Sequence, residues 1–341
     1  MRPLLLAALC LTLAACGPSD ERTPLVIYSP HGKEMLTAYE EAFEAENPTV
    51  DVRWLDMGSQ NAYERIRTER ANPQASLWWG APQTLFMEAA EDSLLLPFEP
   101  DWADALLPDA KDPQGHWYGT YLTPEGVLYN ADVIDEEDVP ADWDDLLRSN
   151  WRERLLIRSP LESGTMKTIW GAMILRQPTV EDGYRWLARL DMNTKGYAAD
   201  PTQLYLRVAR GEADLTLWNM PDTYLQANTY PFAFAPLDSG IPVVVDGIAI
   251  PAGAPQPDLA RQFIDFVMTP EALIDQAHRF YRIPARTDIP EDRLPDWMAA
   301  STYTTMDLDW PRLAAEGPGW MQVWDEQIKG RGAEYLEENP E

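Results

Sequence analysis

The sequence predicts an α/β protein built as two successive sheet-containing blocks. From Leu25, short apolar runs alternate with stretches of helical periodicity, and strand–helix–strand–helix–strand is the signature of a parallel sheet with helical crossovers. A second unit of the same kind begins at Leu155. Hydrophobic residues make up 45% of the 341 positions and aromatics 11%, enough apolar material for true cores and too much for a disordered chain.

The chain opens with a short positive start, Met1-Arg2-Pro3, followed by an uncharged apolar run from Leu4 to Ala15. That run is too short to span a bilayer stably and suits the hydrophobic part of a secretory signal. It ends Leu13-Ala14-Ala15-Cys16-Gly17, which resembles the bacterial lipobox. The resemblance implies cleavage after residue 15 and lipidation of Cys16; the alternative is an ordinary signal peptide that happens to contain a cysteine. Cys10 would leave with residues 1–15, so Cys16 would be the one remaining cysteine and no internal disulfide could form. Residues 16–24 are polar, hold two prolines and lack periodicity, as a flexible tether does. Acylation would hold the protein at the outer face of the cytoplasmic membrane, or in the periplasm, without spanning the membrane.

In the body, Leu25 to Tyr28 reads as a buried strand, and Lys33 to Glu46 as a helix with Met35, Leu36, Tyr39, Ala42 and Phe43 on one face. A second strand (Val50 to Leu55), a helix (Asn61 to Arg70) and a third strand (Ala75 to Trp79) follow. Ligands of such sheets sit beyond the carboxyl ends of the strands, which directs attention to Ser29–Gly32, Asp56–Asn61 and Gly80–Gln83. The second block has a strand at Leu155–Ile157, a helix from Met166 to about Arg176, and helical stretches at Tyr184–Leu190 and Leu204–Arg210. Strands are expected at Asp214–Trp218, Phe232–Ala235 and Pro242–Ile250, then helices at Leu259–Met268 and Pro270–Phe280 and a helical tail.

The charge balance narrows the function. With 56 Asp and Glu against 27 Lys and Arg the net charge is −29, so nucleic acid is excluded as a partner for want of a basic face. The three histidines, 31, 116 and 278, show no zinc spacing. There is no GxSxG elbow or GxxxxGK[ST] loop, and no cofactor is implied.

Seven stretches resemble bacterial extracellular solute-binding proteins, the receptors of ABC importers: VIYSPHGKE (26–34), ERANPQASLWWGAP (69–82), GVLYN (126–130), DWDDLLRSNWRERLLIRSPLESGT (142–165), RGEADLTLWN (210–219), DGIAIPAGAPQPDLARQFIDFVMTPEA (246–272) and FYRIPAR (280–286). Within that group the chain is most similar to the ferric-iron-binding branch and its relatives for phosphorylated or anionic organic solutes. The resemblance implies a type II periplasmic-binding-protein fold: two α/β lobes, two crossover strands, and a ligand cleft between the lobes that closes by hinge motion. Lobe 1 would comprise 25–122 and 237–288, and lobe 2 would comprise 123–236 and 289–341, with crossovers near Tyr121–Gly126 and Ala235–Gly240. It further implies a monomer that does no chemistry and delivers a small anionic solute to a permease and its ATPase. The alternatives are a ferric-iron receptor, a sensor for a membrane kinase or chemoreceptor, and a lipoprotein hydrolase.

Candidate ligand-binding residues follow. Ser163, Gly164 and Thr165 sit between a strand and a helix, where free N–H groups, two hydroxyls and the helix dipole converge; they form an anion site or a plain N-cap. In the iron family the matching Ser-Gly pair contacts a phosphate-type anion, as does the residue matching Asn219, which could equally hold its own loop. Pro221-Asp222 stands where iron binders carry adjacent tyrosines, and Ala81 where they carry a carboxylate, so the resemblance argues against iron. Asp222 is either an acid facing a solute amine or a solvated loop residue. Ser29, His31, Ser59 and Gln60 follow the first two strands; His31 would add positive charge if its pKa rose, and Ser59 could instead cap a helix. Of Trp78 and Trp79 one is expected in the core, with Trp79 assigned to the cleft.

Overall fold

Parallel pairing starts at the first strand. In the computed structural model, which describes residues 22–198 and 200–340, Thr23–Ser29 (β1) and Val50–Asp56 (β2) run in register from Thr23↔Val50 to Ser29↔Asp56. The helix between them, Lys33–Glu46 (α1), buries Met35, Leu36, Tyr39 and Phe43 as one stripe. Ser59–Glu69 (α2) leads to Leu77–Pro82 (β3), buried at every residue and parallel to β1. Gln83–Glu91 (α3) follows at once. The expected signal run, Cys16 and most of the expected tether lie outside the described residues. Among those described, no helix is long and apolar enough to cross a membrane.

Tyr118–Asn130 (β4) carries the chain into the second block. There Leu155–Arg158 (β5), Gly164–Leu175 (α4), Val180–Asn193 (α5), Thr194–Ala198 (β6), Pro201–Ala209 (α6), Leu215–Asn219 (β7), Met220–Ala227 (α7) and Phe232–Ala235 (β8) follow in order. Val243–Ala249 (β9) then returns to the first block, with Pro257–Val267 (α8), Pro270–Phe280 (α9) and Ile283–Pro284 (β10). The tail is helical: Asp296–Ala300 (α10), Trp310–Val323 (α11) and Gly332–Glu338 (α12).

The strands form one continuous sheet ordered β2-β1-β3-β9-β4-β7-β5-β6, with β8 and β10 also paired to β4. Its flanks are parallel as the sequence predicts, but its centre is antiparallel: β9 pairs antiparallel with both β3 and β4, and β4 antiparallel with β7. The reason is connectivity. β4 and β9 cross between the blocks in opposite directions, so they meet head to tail and need no crossover helix between them.

Two hydrophobic cores flank this centre. One gathers Tyr28, Phe43, Trp78, Trp79, Phe86 and Trp117 with Ile248 and Phe263. The other gathers Val127, Trp143, Leu156, Trp170 and Leu217 with Leu313, Trp320 and Trp324 from the tail. β4 supplies residues to both, Tyr118 and Tyr121 to the first, Val127 and Leu128 to the second. Helix α11 belongs to the second core yet also packs on α3 of the first.

Candidate ligand cleft

Between the two cores lies a cleft of about 690 Å³. The loops after β1 and β2 form one wall, the segments after β5 and β7 the other, and β4 with β9 the floor. Each wall is thus a set of strand ends and helix starts, where backbone N–H groups lack intrahelical acceptors.

On the second wall, Ser163 is the N-cap of α4. Its hydroxyl accepts the Met166 N–H at 3.4 Å, and its carbonyl accepts the Lys167 N–H at 2.9 Å. The cap is therefore made, while the next two residues, Gly164 and Thr165, line the cleft with N–H groups that have no acceptor one turn back. Beside them stands a residue that no motif in the sequence singles out. Arg158 ends β5, is only 8% exposed and lines the cleft, and its buried Nε has no hydrogen-bond partner among the described residues. Burial draws its pKa down, with Glu162, Tyr205 and Asp200 opposing, but a guanidinium stays charged at neutral pH.

Asn219 caps α7. Its side-chain oxygen accepts the Asp222 N–H at 2.8 Å, and its Nδ2 donates to Asp222 Oδ2 at 3.0 Å. Asp222 Oδ1 lies 3.2 Å from Nη2 of Arg282, itself 6% exposed and stacked over the Tyr121 ring at 5.1 Å. Asp222 and Asn219 line the cleft, but Asp222 is neither a solvated loop acid nor a free one.

The floor holds two carboxylates unassigned from sequence. Glu125 faces Asn219 across the β4–β7 ladder; it is 1% exposed, and its Oε2 is buried without a partner among the described residues. Burial pushes its pKa well above the ordinary range, Asp246 adds to that, and the Thr165 side chain, in hydrogen-bonding reach, opposes it. Asp246, on β9, accepts a hydrogen bond from Thr123 Oγ1. Burial raises its pKa to about 6, with Thr123 and Arg282 holding it down and Asp222 pushing it up.

The first wall departs from expectation at several points. His31 lines the cleft but is buried, its Nδ1 2.7 Å from the Tyr121 hydroxyl and its ring packed against Gly80. Gly80 has φ 100°, and a side chain there would overlap the imidazole. Burial and then nearby Arg282 push the His31 pKa well down, so it is neutral and adds no positive charge. Ser59 lines the cleft as the first residue of α2; Gly58 occupies the cap position, and no side chain caps that helix. Ser29 is fully buried, and its hydroxyl accepts the His31 N–H at 3.3 Å, so it shapes the loop from behind. Gln60 turns along its helix toward Glu64, 3.4 Å away. Trp79 does not reach the cleft: it is fully buried, edge-on to His31 and Tyr39, while Trp78 is buried against Phe86. A strand covered on both faces leaves neither tryptophan free.

The walls touch beyond the cleft. Lys167 of α4 pairs with Glu88 of α3, their side chains 6% and 12% exposed. A Cβ on Gly164 would lie 2.8 Å from the Pro82 ring, so that glycine lets the walls approach. Among the described residues no group of three or more His, Cys, Asp or Glu side chains is arranged to hold a metal ion.

Comparison with known proteins agrees with this architecture. The family described as "Bacterial extracellular solute-binding protein" matches residues 30–274. A Salmonella typhimurium protein named as a candidate 2-aminoethylphosphonate-binding periplasmic protein is 26% identical over 336 residues, 94% of this chain and 93% of its own. The solved structure of the periplasmic binding protein AfuA from Actinobacillus pleuropneumoniae, with fructose-6-phosphate bound, superposes with a TM-score of 0.80 at 22% identity, covering 90% of this chain and 99% of that one. Iron-bound HitA from Pseudomonas aeruginosa superposes at 0.76 with 21% identity, covering 88% and 98%.

Proposed function

Because this chain belongs to the bacterial extracellular solute-binding proteins, we propose that its cleft captures a small solute bearing a phosphate, phosphonate or carboxylate group outside the cytoplasmic membrane and hands it to an ABC permease and its ATPase. The observation that carries the choice of an anion is Arg158. A buried guanidinium whose Nε has no partner among the described residues, beside the first N–H groups of α4, suits an anionic acceptor. Hydrogen bonds to a charged group contribute roughly 1.5–3 kcal/mol each. The surface acids behind the net charge of −29 are screened beyond about 8 Å at physiological salt, so the local site prevails.

The relatives support a phosphoryl-type anion in two ways, through the phosphonate in the Salmonella protein's name and the sugar phosphate in the AfuA structure. Iron is the weaker reading. Pro221 offers no donor atom where the iron branch has a tyrosine, and Ala81, fully buried, offers none where it has a carboxylate. The two cores would act as lobes hinged where β4 and residues 236–242 cross, closing on the solute with no covalent step.

A thermal-shift screen of phosphate esters, phosphonates, dicarboxylates, zwitterions, neutral sugars and Fe³⁺ tests this reading. A ligand of the native state stabilises by about 2.7 kcal/mol at a hundredfold excess over Kd, readily seen. A phosphate- or phosphonate-bearing solute is expected to give the largest shift. A neutral sugar or ferric iron as the tightest ligand would overturn the proposal. We also propose attachment through lipidated Cys16: Cys16→Ser is expected to move the protein from the membrane fraction to a soluble or uncleaved form, and identical fractionation of variant and parent would refute the anchor.

A further inference from the structure

The floor of the cleft has a carboxyl oxygen without a donor among the described residues. Glu125 and Asp246 lie there, with Asp222 and Arg282 beside them on the cleft lining. Arg282 is committed to Asp222 at 3.2 Å, and Asn219 completes that pair. Asp246 has a neutral donor, Thr123, with Arg282 near enough to lower its pKa, and Glu125 keeps a buried oxygen with no partner among the described residues. Desolvating carboxylates without a cation is costly, and such a cost persists where a ligand relieves it.

Resting on the anion reading of the same cleft, we propose that Glu125 and Asp246 form a subsite for an ammonium group, and that the solute is a short zwitterion. Shortness follows from placement. Thr165, at the start of α4, lines the same cleft as Glu125 and is near enough to lower its pKa, so the anionic and cationic ends of the solute would be only a few bonds apart. An ammonium there supplies donors to the unpartnered Oε2 of Glu125 and to Asp246, satisfying both with one group. Asp222, tied to Arg282, is the structural acid, and Glu125 and Asp246 are the recognition acids.

The test is calorimetric titration of two probes of equal shape, 2-aminoethylphosphonate and n-propylphosphonate, into the parent, Glu125→Gln and Asp246→Asn. The parent is expected to bind the amine at least about tenfold tighter, the 1.4 kcal/mol of one decade. Each variant is expected to cut that preference to under about threefold while leaving propylphosphonate within about threefold of its parent affinity. Equal binding of both probes by the parent, or a preference that survives in both variants, overturns the ammonium subsite and leaves the anion reading standing. So does an equal loss for both probes in Glu125→Gln, which would mean that a protonated Glu125 donates to the anion. Binding of neither probe also overturns the short-zwitterion proposal, and the thermal-shift screen then decides the anion reading by itself.

Discussion

Arg282 Nη2 lies 3.2 Å from Asp222 Oδ1, and this ion pair ties the segment after α9 to the first turn of α7 beside the cleft. Its arginine side chain is 7% exposed and its aspartate 27%, so removing either leaves a largely desolvated charge behind. Arg282→Met is expected to cost about 2 kcal/mol in chemical denaturation, below the 3–5 kcal/mol of a fully buried pair because Asp222 retains some water. The double variant Arg282→Met/Asp222→Asn is expected to be less destabilised than the two single losses combined by about 1 kcal/mol. Strict additivity would show that the pair is not coupled.

Asp246 gives a pH signature. Its carboxyl titrates near 6 in the folded protein, above the ordinary 3.8, because of burial and Asp222, against Thr123 and Arg282. The native state therefore holds a proton that the unfolded chain has already released, and stability falls as pH rises from about 4 to 6. Asp246→Asn removes that penalty. Its unfolding free energy is expected to exceed the parent's by on the order of 1–3 kcal/mol above pH 6, with the difference fading toward pH 4. A gain that is equal at all pH values would point to packing instead.

Lys167 and Glu88 pair between helices of different cores, and burial, the dominant influence on Glu88, raises its pKa against the pull of Lys167. Lys167→Met leaves that carboxylate to protonate or to seek water. Ligand-free Lys167→Met is expected to populate a more open form, with a larger radius of gyration in solution scattering and a lower Tm. No change in either measurement would show that the pair does not hold the walls together.

Much of the fold is legible in the sequence because its strands are either alternating or continuously apolar and its helices carry single stripes: Lys33–Glu46, Phe232–Ala235 and Pro270–Phe280 stand in the structure with the bounds the pattern predicts. Helix α4 starts two residues before the pattern because Gly164 and Thr165 carry no apolar signal of their own. The antiparallel centre is not legible, since pairing direction depends on which block a strand returns to and not on its residues. At the site, the N-cap Ser163 and Asn219 announce themselves by type and position. Arg158, Glu125 and Asp246 are harder to see, although each leaves a mark: a lone charge in an apolar strand, as in LLIR and VVVDGIA. Such a charge is seldom buried without a task. Trp79 misled in the opposite way, because alternation assigns a face only when one side of the strand meets solvent.

The most direct test of the account is titration of the tightest phosphate- or phosphonate-bearing solute into the parent and into Ser163→Ala/Thr165→Val. Ser163 caps α4 and Thr165 lines the cleft, so the double variant is expected to fold, with the lost cap costing about 1 kcal/mol of stability. If α4 and Arg158 bind the anion, affinity is expected to fall at least about tenfold, or some 1.4 kcal/mol. A lower Tm with unchanged affinity would contradict the account and leave Ser163 and Thr165 as no more than the start of a helix.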